Sequence, residues 1–259
     1  ETYLQCPFQF FARYTLKLKE PPPEPAERLD VLVQGQILHR VLAEFVKRPE
    51  ALEESFDRIF AEASAEARVV PGYRTEAVRA ELWRNLQRFV REAWLAPPAR
   101  VETEYGFRIS LHGLVDVSGR IDRVDFLNDG RVLLIDYKYS SKANVRRRVK
   151  AHFERERIQG GLYAVAAKQE LGREAAGFLF AAMRGEPEWE GWHSDSTADE
   201  VQRLSEIAVE ATLKAVGEIR EGRVLPKPLE PEQCRYCEYF DVCRVETAAQ
   251  AATAEGGEE

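Results

Sequence analysis

No apolar run in this 259-residue chain approaches the roughly 18 residues needed to cross a bilayer, so no helical membrane span is expected. The opening residues, Glu1-Thr2-Tyr3-Leu4-Gln5-Cys6-Pro7, hold neither a basic n-region nor an apolar h-region, so no secretory signal is expected either. There is no initiator methionine, and the chain reads as processed or as a piece of something longer. No G-x-x-x-x-G-K-[ST] loop is present, so any ATP-driven motor of that type would lie elsewhere. No internal repeat is visible. Net positive charge is also missing: the balance is −7, which at first sight argues against a nucleic-acid partner. What remains is the composition of an ordinary soluble protein, 44% hydrophobic and 31% charged, long enough for one large domain or two small ones. A cytoplasmic location is expected.

Net charge says little about where charge lies. Acid is concentrated over 50–81 and in the C-terminal tail. Base gathers after residue 138, as Lys138, Lys142, Arg146, Arg147, Arg148, Lys150, Arg155 and Arg157, against only Glu154 and Glu156. Alone, this run would read as a solvated charged helix. Beside the motifs below, Arg146, Arg147, Arg148 and Lys150 become candidates for phosphate contact.

The first half of the chain has helical texture. Apolar residues recur at helical spacing over 2–18, over 31–47 (Val33, Ile37, Val41, Phe45), over 50–68, and over 75–95 (Val78, Leu82, Leu86, Phe89). A Pro-Pro-Pro-Glu-Pro stretch at 21–25 reads as a stiff loop, and Pro97-Pro98 ends the helical block. Three β-branched and aromatic stretches follow, over 101–109, 115–126 and 131–139, the last two joined as a hairpin by Asn128-Asp129-Gly130. A helix near 153–170, a strand near 176–183 and a long helix near 198–221 complete the pattern. The tail after 246 is expected to be mobile. The architecture expected is an α/β mixed sheet flanked by helices, with the 50–95 helices as an insertion.

Leu133-Leu134-Ile135-Asp136-Tyr137-Lys138 is an apolar strand that ends in charge. The strand period of two puts Asp136 and Lys138 on one face and Tyr137 on the other, at a strand end expected to face solvent. Such a pair could be no more than an exposed ion pair. The preceding strand, Gly119-Arg120-Ile121-Asp122-Arg123-Val124-Asp125, brings Asp122 to the adjacent arm of the hairpin. Converging carboxylates repel unless a cation or a proton sits between them, and oxygen ligands favour Mg²⁺ or Mn²⁺. Lys138 beside such an ion could serve a water and balance charge on a phosphate, as metal-assisted phosphodiester hydrolysis requires. Asp125 falls on the face opposite Asp122 and reads as a turn or surface residue.

Asp122 followed by Asp136-Tyr137-Lys138 resembles the core of the PD-(D/E)XK nuclease superfamily. Gly35-Gln36-Ile37-Leu38-His39 resembles the G-x-x-x-H helix of RecB-like nucleases, and Gln159-Gly160-Gly161-Leu162-Tyr163 their Q-x-x-x-Y motif. The resemblance implies a restriction-endonuclease-like fold and a metal held by His39, Asp122, Asp136, the carbonyl of Tyr137 and an acidic residue of the preceding strand. Glu102 and Glu104 alternate onto one face there; Glu104 is taken. Gln159 and Tyr163, on one helical face, would position the substrate strand.

Cys6 stands alone near the start, and Cys234, Cys237 and Cys243 form C-x-x-C-x-x-x-x-x-C near the end. Without a secretory signal disulfides are not expected, and the set reads as a metal site, for which zinc is the generic occupant. The arrangement resembles the nuclease domain of AddB-type helicase–nucleases, which implies a [4Fe-4S] cluster acting as a clasp between the segments 1–20 and 225–246 of one domain spanning 1–246. The partners then implied are DNA, as single strands or duplex ends, and a helicase motor domain or subunit; no membrane is implied. The activity implied is a Mg/Mn-dependent deoxyribonuclease, an exonuclease acting on DNA ends in double-strand-break repair and recombination. CRISPR-adaptation nucleases are the alternative, although the 82 residues between His39 and Asp122 favour the helicase-linked group. A non-catalytic DNA-binding module is the alternative outside the enzymes.

Overall fold

The computed structural model describes residues 1–18, 29–193 and 198–244. The proline-rich stretch at 21–25 and the tail after 246 lie outside them. Two short helices, α1 (Thr2–Gln5) and α2 (Pro7–Phe10, continued by a wider π turn over Phe11–Thr15), open the chain. Then come α3 (Val31–Phe45), α4 (Leu52–Glu66) and α5 (Tyr73–Glu92), followed by strands β1 (Val101–Leu111), β2 (Val115–Phe126) and β3 (Val132–Lys138). Helices α6 (Lys142–Phe153) and α7 (Gln159–Leu171) lead to β4 (Ala175–Ala182) and β5 (Glu188–His193). The long α8 (Ala198–Arg220), a 3₁₀ segment over Pro231–Tyr236 and α9 (Phe240–Cys243) close the described chain. Among the described residues no helix is long and apolar enough to cross a membrane.

The five strands lie in the order β1-β2-β3-β4-β5, antiparallel except for β3 and β4. That parallel pair needs a crossover, which α6 and α7 supply. Both faces of β4 are covered, and its Ala-Ala-Gly-Phe-Leu-Phe-Ala-Ala sequence is buried throughout. On one face Val132, Leu134, Phe178 and Phe180 pack with Leu162 and Ala166 of α7 and Leu204 and Ala208 of α8. On the other, Ile135, Tyr137, Leu179 and Ala181 pack with Leu38 and Val41 of α3, Phe56 of α4 and Phe89 of α5. The 52–92 helices therefore share in the core, through Phe56, Ile59 and Phe60 of α4 and Leu82, Leu86 and Phe89 of α5.

Three expectations change. One helix near 153–170 becomes two, α6 and α7, separated at 154–158. An unexpected edge strand, β5, carries Glu188, Glu190 and Gly191 within Glu-Trp-Glu-Gly-Trp-His. A Cβ at Gly191 would come 2.1 Å from the carbonyl oxygen of Phe178, so the glycine is what lets this strand approach β4. Asp125, read as a surface residue, is only 3% exposed and pairs with the fully buried Arg123.

Candidate active site

The site forms where β2 and β3 part. Their ladder ends at Arg123 and Ile135. The amide of Tyr137, beyond that point, donates to Asp122 Oδ2 at 2.8 Å in place of a strand partner. Alternation along β3 sends the Tyr137 ring into the α3–α5 core beside Phe89 and Trp189. Asp136 lies on the other face, and Lys138 reaches over the Phe180 ring. The strand end is less open than expected: Asp136 is 1% and Asp122 8% exposed.

Helix α3 presents His39, whose Nδ1 lies 3.3 Å from Asp122 Oδ2. Glu104 comes from β1, at the one step where its ladder with β2 is interrupted between Thr103 and Tyr105. Its φ of +54° is left-handed, a conformation costing a non-glycine residue about 1–3 kcal/mol and found where the fold over-determines it. Strand alternation did not separate Glu102 from Glu104; this kink does, leaving Glu102 exposed. Donor atoms of His39, Glu104 and Asp122 all lie within 4.8 Å of one another, and among the described residues they are the one set of three or more that does so. Asp136 lies outside that set.

Asp136 is instead gripped by its neighbours. Gln159 Nε2 donates to its Oδ1 at 2.7 Å and to Tyr163 Oη at 2.9 Å, and Tyr163 Oη donates to the carbonyl of Arg120 at 2.6 Å. Both amide hydrogens of Gln159 are thus used inside the protein. Asp136 Oδ2 forms an ion pair with Lys138 Nζ but accepts no aligned hydrogen bond. Burial pushes the Asp136 carboxyl up to about 6 against the pull of Lys138, with Asp122 adding to the rise. Asp122 is held below the usual carboxylate range: burial opposes this, but His39, Lys138 and the Tyr137 amide outweigh it. His39 rises in turn, since Asp122 and Asp136 overcome its burial.

Three acids and a histidine, with Asp136 Oδ2 met only by the Lys138 ammonium, fit a divalent cation. Carboxylate oxygens and one imidazole suit a hard or borderline ion such as Mg²⁺ or Mn²⁺.

Helix α7 is placed with care. A Cβ at Gly160 would meet Trp192 at 2.6 Å, and one at Gly161 would meet the carbonyl oxygen of Leu204 at 2.3 Å. The paired glycines therefore let α7 press against β5 and α8. Its first amides are satisfied from far away in sequence. Glu1 Oε1 accepts from Ile158 and Gln159, both at 3.0 Å, while Glu1 Oε2 lies 3.1 Å from Arg157. His152 Nε2 accepts from Gly160 at 3.2 Å, and its Nδ1 donates to the carbonyl of Arg148. Burial pushes His152 down to about 4, which keeps it neutral for that role. Glu1, His152 and Arg120, which pairs with Glu104 at 2.7 Å, were not legible from any local pattern.

The four cysteines come together at the joined ends of the chain. Cys6, Cys234, Cys237 and Cys243 line one small cavity with Gln5, Phe8, Pro226 and Pro228. Leu229 N–H donates to the Gln5 carbonyl at 2.8 Å, and Tyr3 Oη donates to the Arg223 carbonyl at 2.8 Å. Of the expected basic contacts, Arg146 pairs with Glu188 and Glu190, Lys150 with Glu154 at 3.1 Å, and exposed Arg147 bonds only Asn144. Arg148 points inward.

Known proteins resemble this chain in sequence and in fold. The exonuclease/helicase subunit RexB of Lactococcus lactis subsp. cremoris is 23% identical over an alignment covering 95% of this chain and 28% of that protein. An ATP-dependent helicase/deoxyribonuclease polypeptide of Lactococcus lactis subsp. lactis is 22% identical with the same coverage. The chain thus spans a little over a quarter of these curated relatives. A crystal structure of a candidate exonuclease from Eubacterium rectale has the same fold, with a TM-score of 0.56 at 15% identity over 93% of this chain and 82% of that one. The PD-(D/E)XK nuclease superfamily model matches residues 1–244, and with the mixed sheet and the Asp122–Asp136–Lys138 site this chain belongs to that superfamily.

Proposed function

We propose that this chain is a Mg²⁺- or Mn²⁺-dependent deoxyribonuclease, the nuclease module of a helicase–nuclease that degrades DNA from duplex ends in break repair. The observation that carries the reading is the convergence of His39, Glu104 and Asp122 donors beside the buried Asp136–Lys138 pair. A divalent ion there supplies a Lewis acid and lowers the pKa of a water to be used in phosphodiester hydrolysis. His39, Glu104, Asp122 and the Tyr137 carbonyl would hold it. Asp136 would join by releasing Lys138, whose ammonium then orients the attacking water and balances charge on the phosphate. Gln159 and Tyr163 act by fixing Asp136, a role that replaces the strand positioning expected from sequence. Arg147, Arg148 and Lys150 would meet the DNA backbone, with Arg146 committed to β5. Relatives carrying helicase in their names support a motor as partner.

The four thiols would hold a [4Fe-4S] cluster as a structural clasp over a single 1–246 domain containing the 50–95 helical insertion. The one small cavity that Cys6, Cys234, Cys237 and Cys243 line together supports a common occupant. The decisive assay compares linear with circular DNA, with Mn²⁺ or chelator, on protein purified anaerobically and analysed for iron, sulfide and zinc. Metal-independent cleavage, or none, would overturn the catalytic reading. One zinc without iron would overturn the cluster, and a Cys6→Ala variant with full metal content and unchanged melting would overturn the clasp.

A further inference from the structure

The cavity over the candidate site is lined by five cationic side chains, and four of them are already paired. His39 faces Asp122, Arg40 faces Glu62, Arg120 faces Glu104, and Lys138 faces Asp136. The fifth, Arg148, has no hydrogen-bond or ion-pair partner for its guanidinium among the described residues. Val145, Arg148 and His152 are spaced at three and four residues along α6, and Val145 and His152 are buried, so Arg148 sits on the inward stripe of the helix where an apolar side chain would ordinarily pack. Burial and the neighbouring Arg157 push its pKa down, while Asp136 and Glu1 pull it up. A half-buried cation without an ion-pair partner of its own adds little to the fold and is placed to meet an anionic ligand.

Arg148 also lines a second cavity, with Arg147, Lys150 and Arg157, that runs to Gln5 and Leu229 at the junction of the two chain ends. Among the described residues no other lines both cavities. A planar guanidinium suits bidentate contact with a phosphate.

We propose that Arg148 holds a backbone phosphate of the substrate strand, next to the linkage being cut, and directs that strand from the site into the second cavity toward the cysteine clasp. This rests on the nuclease reading and specifies one contact within it. The test uses the whole chain carrying Lys138→Ala to block cleavage, with and without Arg148→Gln, and a fluorescent 12-nucleotide single strand. Arg148→Gln is expected to weaken binding about 10- to 100-fold, as loss of a charge-assisted hydrogen-bonded pair does, and to reduce the log–log salt slope by about 0.7. Melting should stay level or rise, whereas loss of a structural arginine would lower it. A scan of single neutral methylphosphonate linkages should reveal one position that weakens the parent and leaves the Arg148→Gln variant unaffected. Unchanged affinity and slope, or no such linkage, overturns the assignment while leaving the nuclease reading standing. A wild-type protein that neither binds nor cuts DNA overturns both.

Discussion

Two groups of buried charge sit within a few residues of each other on β2 and β3, and they are built on opposite principles. Arg123 and Asp125 face one way. Their two hydrogen bonds, both 2.6 Å, are joined by Arg123 contacts to the Leu95 carbonyl at 2.9 Å and the Tyr137 hydroxyl at 3.5 Å, with Trp94 beneath the guanidinium. Asp122 and Asp136 lie behind a cavity wall that holds Glu104, Lys138 and His39, and one of their oxygens is reached by no hydrogen bond. The first group is closed and can only hold the fold together. The second has ligand capacity left over at a cavity wall, and that surplus is what distinguishes a site from a strut.

The comparison breaks most visibly if Asp125→Ala is tolerated. That change leaves Arg123 buried without its anion and is expected to cost about 3–5 kcal/mol in denaturant unfolding, whereas Arg123→Met with Asp125→Leu should be near neutral. On the other side of the sheet, Lys138→Ala should slow cleavage about 10²- to 10⁴-fold and leave melting nearly unchanged, because Asp136 can take a proton. Steady-state cleavage and melting of the same preparation check both halves; normal turnover would remove Lys138 from the chemistry.

Acidity sharpens the contrast further. Asp136, raised from 3.8 to about 6 by burial, binds a proton more tightly folded than unfolded. Its contribution to stability therefore falls as pH rises from about 4 to about 6 and is level above. Asp136→Asn removes that fall. In chelator the variant should gain on the wild type across this window by on the order of 2–3 kcal/mol. His152, pushed down to about 4, acts in the opposite sense but equally in both proteins. Paired melts from pH 4 to 7 read the difference, and a gap independent of pH would mean that Asp136 is not the titrating group. Glu104→Gln should weaken Mn²⁺ binding at least about tenfold by calorimetry; unaltered affinity would strike it from the ligands. The smallest effect is Glu1→Ala, which uncaps α7 and should cost about 0.5–2 kcal/mol, with a modest loss of cleavage through Gln159 and Asp136.

The strand motif was legible because a period of two and a run of apolar residues leave few ways to place Asp136 and Lys138. The hairpin signal at Asn128-Asp129-Gly130 then brought Asp122 beside them. Helix α6 was hidden for the opposite reason. Its inward stripe is Val145, Arg148 and His152, so it carries too little apolar signal to be told from a solvated basic run. Strand β5 was hidden by its two glutamates, which turn out to hold Arg146. Asp125 was misread because alternation gives a face but not what lies on it; here the face is covered by Trp94 and Tyr137.

The sequence by itself determined the family, through motifs that resemble it, and the hairpin that carries Asp122 and Asp136, through local periodicity and turn residues. Only the tertiary structure decided which of those residues have partners. The kink that selects Glu104 over Glu102, the Glu1 carboxylate capping a helix 158 residues away, and the lack of a partner for the Arg148 guanidinium among the described residues all depend on groups distant in the chain. Hydrogen bonds and ion pairs act over a few ångströms of space, and nothing local in a chain records which remote groups folding will bring within that reach.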